Sequence, residues 1–149
     1  MTLTTENKPD LSTSAARLRL AVTRVARRLR QEASGELTPT SAAALASVQR
    51  HGPLTPSELA EIERVKRPSA TRTLGHLAEM GLVDRTPDPA DGRSALVTVT
   101  AAGRVRLRRL RGRKNAYLAR RMREMPSEDV RTLERAAEIL ERMLEGERG

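Results

Sequence analysis

Residues 55–103 read TPSELAEIER (55–64), VKRPSATRTLGHLAEMG (65–81) and LVDRTPDPADGRSALVTVTAAG (82–103). Thr55 and Glu58 stand in capping-box spacing, so a short helix starts here, with Leu59, Ile62 and Val65 expected on its inner face. After a tight break, a second helix is expected to begin between Lys66 and Pro68 and to end on Gly81. At 100° per residue, Ala70, Leu74, Leu77 and Ala78 share one side of it. Pro68, Arg72, Gly75 and His76 lie opposite, flanked on the first turn by Ser69 and Thr71. The β-branched runs 82–85 and 96–100, separated by Pro87, Pro89 and Asp91-Gly92, make a hairpin with a longer loop. A helix-turn-helix with a β-ribbon beside it is a device for reading double-stranded DNA.

In that reading the DNA-facing residues are Lys66, Arg67, Pro68, Ser69, Thr71, Arg72 and His76 on the second helix, with Arg85, Arg93 and Ser94 on the ribbon. Arg72 projects outward toward a major groove, and Arg93 at the hairpin tip is placed for a minor groove, where negative potential is concentrated. Asp91 supports the wing by pinning its tip. The plainer alternative is a solvated helix face and a loop staple, and the order of the elements favours the DNA reading.

Working outward, residues 1–10 are polar and read as a loose arm. Residues 11–34 form a helix capped by Ser12 or Ser14, with Leu11, Ala15, Leu18, Val22, Val25 and Leu29 as one apolar stripe. Gly35 breaks it. Thr38-Pro39 starts the next helix, and with it a DNA-binding lobe over residues 37–100. That helix turns Ala44, Leu45 and Val48 inward and stops at His51-Gly52-Pro53. His51 reads as a capping or packing histidine, an effector contact being the lesser alternative. Residues 101–149 are two further helices. The first, over 101–125, carries ten basic residues, and Gly112 marks a bend or close contact. The second starts at Pro126-Ser127 and repeats Val130, Leu133, Ala137, Leu140 and Leu144 at three-four spacing. The fold class is therefore mainly α: a winged helix-turn-helix with a two-stranded wing and a helical platform built from both ends. Stripes on all three terminal helices call for a second copy, with Leu11, Leu18, Val22, Leu118, Val130, Leu133, Leu140 and Leu144 assigned to the dimer.

Composition narrows the partners. A formal charge of +9 and a pI near 11.3 favour an anionic partner, nucleic acid first. There is no Cys, Phe or Trp and a single Tyr, Tyr117, so the core must be aliphatic and thiol chemistry is excluded. Two histidines cannot make a transition-metal site by themselves, and neither a metal nor a cofactor is expected. No apolar run approaches membrane-spanning length and the N-terminus lacks a signal peptide's core, so a cytoplasmic location without a membrane partner is expected. Without a nucleophile-base arrangement or a Gly-rich phosphate loop, an enzyme is not expected.

These residues together resemble the multiple-antibiotic-resistance-regulator (MarR) family of bacterial transcription factors. The resemblance is carried by Leu59-Ala60-Glu61, by 67–74, by 77–85, by Asp88-Pro89-Ala90-Asp91-Gly92-Arg93, and by 97–103, which ends in Thr-x-x-Gly. It implies a homodimer whose winged helices straddle a pseudo-palindromic operator, and a repressor released by a small anionic effector lodged between platform and lobe. Two positions depart from the pattern: Lys66 stands where a capping Ser, Thr or Asp is natural, and Gly92 follows Asp91. The dearth of aromatics argues against a ring-stacking pocket, and the ligand-binding residues stay unknown at this point. The alternative function is a basic winged-helix module, architectural or RNA-binding, with little sequence choice.

Overall fold

The computed structural model describes residues 10–33, 35 and 37–148. Apart from Asp10, the expected arm lies outside them. The element order is α1 (Leu11–Glu32), α2 (Pro39–His51), α3 (Pro56–Glu63), α4 (Arg67–Glu79), β1 (Val83–Pro87), β2 (Ala95–Val99), α5 (Ala101–Arg123) and α6 (Ser127–Glu145), with a closing 3-10 turn Gly146–Arg148.

Local chemistry explains the boundaries. The Thr38 hydroxyl accepts the Ser41 amide with Pro39 in the first turn, and Thr55 and Glu58 complete a reciprocal capping box. The cap of α1 is neither Ser12 nor Ser14. Asp10 takes that place, because its carboxylate accepts both the Ser12 amide and the Thr13 hydroxyl at 3.1 Å. Between α3 and α4, Arg64 occupies the left-handed region at φ 54°, and the Val65 amide donates to the Ala60 carbonyl to close the turn. A left-handed arginine is strained by about 1–3 kcal/mol, and the packed helices on either side hold it there.

The core sits in the lobe. Leu45 and Val48 of α2, Leu59 of α3, Leu74 and Leu77 of α4, and Leu82, Val83 and Val97 of the hairpin are fully buried together with Leu54. Leu107 of α5 joins this cluster, which ties the long helix to the lobe. The hairpin is antiparallel with Val83 opposite Val99 and Pro87 opposite Ala95. Leu54 adds an isolated bridge to Val97, exchanging both backbone hydrogen bonds at 3.2 and 2.8 Å.

Three expectations are corrected. Ile62 and Val65 are exposed rather than internal; Leu59 and Ala60 are the buried residues of α3. Ile62 lies about 160° around the helix from Ala60, and Val65 falls beyond the helix end, so neither can follow that face inward. His51, at the last position of α2, is exposed rather than packed into the core. Gly112 does not interrupt α5, which runs unbroken, and it makes no room for a neighbour, since a Cβ there would meet no atom within 4 Å.

Outside the lobe, burial falls away. Neither α1 nor α6 has a buried residue, and Leu11 and Leu144 are 76% and 64% exposed. Leu18, Val22 and Leu133 are exposed and Leu118, Val130 and Leu140 half-buried. Tyr117, the single aromatic, holds α1 to α5 through the Arg28 guanidinium 5.3 Å from its ring centre, with Arg120 at 5.7 Å. Among the described residues no helix is long and apolar enough to cross a membrane.

Candidate nucleic-acid interface

The inward side of α4 is fixed by Ala70, Leu74 and Leu77, all buried, which forces its other side outward. Lys66, Arg67, Pro68, Ser69, Thr71, Arg72 and His76 are accordingly exposed. Lys66 supplies no side-chain cap hydrogen bond to the first turn of α4. Such a helix end favours an anion through its free amides and its dipole.

The hairpin stands beside this helix. Arg67 and Thr71 of α4, Arg85 of β1, and Arg93 and Ser94 of the loop line one shallow groove of about 210 Å³, with Pro56 of α3 at its edge. Three arginines from three elements thus converge on a single concavity, whose walls suit an anionic oxygen. Lys66, Pro68, Ser69, Arg72 and His76 do not line it. They form the exposed ridge of the helix itself.

The wing tip is built from two consecutive Asx turns. Asp88 accepts the Ala90 amide at 2.9 Å, and the Asp91 carboxylate accepts the Arg93 amide at 3.0 Å. The Ser94 amide donates to the Asp91 carbonyl, and the Asp88 amide to the Ser94 carbonyl, both at 3.0 Å. Asp91 therefore holds the backbone of Arg93, and the exposed guanidinium projects from a pinned tip.

Several contributors lie outside the residues expected to face DNA. A Cβ on Gly75 would lie 3.0 Å from an Arg85 terminal nitrogen, so the bare glycine lets the β1 arginine lie against α4. A Cβ on Gly103 would sit 2.2 Å from the Leu82 carbonyl oxygen and 2.7 Å from a Val99 methyl. Only glycine allows α5 to start that close to the hairpin. Thr100 completes the junction, accepting the Gly103 amide at 3.0 Å and donating to the Gly81 carbonyl at 2.7 Å. The Thr-x-x-Gly motif thus locks α4, the wing and α5 into one body. Leu54 and Pro56 were also missed, because each lies in a segment too short to show periodicity.

On the opposite side of the lobe, Leu37, Ala42, Ala46, Leu107 and Leu110 wall a second cavity of about 210 Å³, with Arg30, Arg111 and Lys114 at its rim. Arg111 donates to the Gln49 side chain at 2.8 Å there.

Comparison with known proteins agrees with this geometry. A sequence model described as the MarR family matches residues 37–95. An uncharacterised HTH-type transcriptional regulator of Mycobacterium leprae is 37% identical over 127 residues, covering 85% of this chain and 89% of that protein. The HTH-type transcriptional repressor MdtR of Bacillus subtilis is 29% identical over 94 residues, covering 63% and 61%. Among solved structures, a Pseudomonas aeruginosa protein described as a transcriptional regulator superposes with a TM-score of 0.82 at 30% identity, over 92% of this chain and 97% of that one.

Proposed function

The chain belongs to the MarR family of DNA-binding transcriptional regulators, and from that premise we propose that it is a homodimeric repressor of a pseudo-palindromic operator, responsive to a small anionic effector. The observation that carries the reading is the exposed α4 ridge, with Lys66, Arg67, Pro68, Ser69, Thr71, Arg72 and His76 outward beside the arginine-lined groove of the wing. In this assignment Arg72 and its neighbours meet base edges and adjacent phosphates in the major groove, Arg93 enters the minor groove, and Arg85 and Ser94 hold phosphate between them.

The dimer is supported by apolar side chains that one copy leaves uncovered. Leu11, Leu18, Val22 and Leu133 stand exposed, and no residue of the α6 stripe is buried. The repressor assignment is supported by the related Bacillus protein named as one. The effector assignment is supported by the cavity between α1, α2 and α5, whose aliphatic walls and cationic rim suit an anion with an aliphatic body. A ligand wedged there bears on both lobe and platform, and so could alter the spacing of two α4 helices in a dimer.

The test is to select duplexes from a randomised pool with the wild-type protein, then measure binding of Arg72→Ala, Asp91→Ala and Arg93→Ala to the selected site over a salt series. Arg72→Ala should cost about 1–3 kcal/mol and relax preference at one position of each half-site. Arg93→Ala should weaken binding to many sequences and flatten the salt slope by about one unit, with Asp91→Ala a milder version of it. A pool that yields no preferred sequence would favour the basic, unspecific module instead.

A further inference from the structure

The net positive charge of this protein lies on its platform helices and not on the lobe taken as a whole. Between residues 37 and 100, seven basic and seven acidic side chains cancel. Helix α1 carries six arginines against one glutamate, and α5 carries ten basic residues and no acid, a combined +15 on two platform helices. Helix α6, with three arginines against six acids, is net −3. The lobe presents Lys66, Arg67, Arg72, Arg85 and Arg93 on its reading side, but as a whole it adds no net charge to the attraction of a polyanion.

On α5 the cations are arranged in rows. At 100° per residue, Arg104, Arg108 and Arg111 fall within 60° of one another, and Arg106, Arg109, Arg113 and Arg120 within another 60° sector. The longer row extends about 21 Å at 1.5 Å per residue, a length over which duplex DNA carries about twelve phosphates. Arg108, Arg109 and Arg113 are exposed and lie off the groove that Arg24, Leu118, Met122 and Leu133 line between α1, α5 and α6. The groove suits a second copy, and the arginine rows lie clear of it.

We propose that the arginine rows of α5, reinforced by α1, are a second DNA-contacting surface that binds the phosphate backbone without reading sequence. It deepens the DNA-binding reading above, dividing the work between a neutral lobe that discriminates and a cationic platform that attracts. A duplex is the partner favoured by the rows' length and regular spacing. An acidic protein or an anionic membrane is a competing outcome.

The experiment compares wild type with the full-length triple variant Arg108→Gln/Arg109→Gln/Arg113→Gln on a 30-base-pair duplex of random sequence and on the selected operator, across a salt series. Each lost phosphate contact flattens the slope of log K against log salt by about 0.9, so about 2.7 per chain is expected. The ratio of operator to random affinity should be kept or should rise. The matching triple Lys variant should restore the slope, which a merely misfolded protein could not do, and sedimentation should show both variants in the wild-type oligomeric state. A slope within half a unit of wild type overturns the proposal, as does a loss that the Lys variant fails to restore. Preferential loss of binding to polyglutamate or anionic vesicles, with the duplex slope unchanged, overturns it in favour of those partners. A wild type that binds random duplex steeply but prefers no site defeats the operator reading and leaves this one standing.

Discussion

The lobe over residues 37–100 and the platform of α1, α5 and α6 are made from the same aliphatic alphabet, yet they solve opposite problems. In the lobe, every element places at least one side chain in a shared core, and Leu45, Leu77 and Val97 are completely excluded from solvent. In the platform, α5 buries Leu107 and Leu110 near its start, while α1 and α6 contain no buried residue. The lobe is neutral and the platform helices α1 and α5 strongly positive. Burying apolar surface contributes roughly 25 cal/mol per Å², so a region that covers its stripes is held by its own chain, whereas one that leaves them open depends on another surface. The difference separates what holds the reading helix in shape from what sets two such helices at a fixed distance.

That contrast can be broken most severely from the platform side. Leu133→Asp/Leu140→Asp places two carboxylates in the proposed seam, and an unpaired buried charge costs several kcal/mol, about 3 or more. We expect monomers at micromolar concentration by sedimentation, and an unfolding temperature that no longer rises with protein concentration. A variant that remains dimeric would show that the exposed stripe of α6 does not meet a second copy. In the lobe, Leu77→Ala should cost about 2–5 kcal/mol in denaturant unfolding, since it opens a cavity among fixed neighbours. It should leave subunit association unchanged, and a coupled loss of both would erase the distinction between the regions. The junction is the third target. Gly103→Ala pushes a methyl against the Leu82 carbonyl and should destabilise by about 1–3 kcal/mol. Because that residue seats α5 on the wing, its effect on DNA affinity should exceed what the stability loss alone predicts. Equal effects would make Gly103 a packing residue only.

Much of this was readable from spacing and capping. The Thr38 and Thr55 caps, the inward row Ala70, Leu74 and Leu77, the uncapped start at Lys66 and the pinned tip at Asp91 all stand where local chemistry put them. These are interactions among residues at most four apart, and such contacts are written in the order of the chain. The short helix α3 misled, because its eight residues show only two turns of periodicity and several faces fit the same letters. The spacing puts Ile62 and Val65 inward, and both lie outside.

The residue pattern by itself determined the sequence of helices, the wing, the absence of thiol chemistry and which side of α4 is polar. It could do so because capping, helical period and composition depend on neighbours along the chain. Tertiary structure alone decided that Arg67, Thr71, Arg85, Arg93 and Ser94 share one groove, that Gly75 makes room for Arg85, and that Leu54 bridges to Val97. Tertiary structure alone also left α1 and α6 without a core of their own. Those contacts join residues up to 43 positions apart, and only the closing of the aliphatic core brings such residues together.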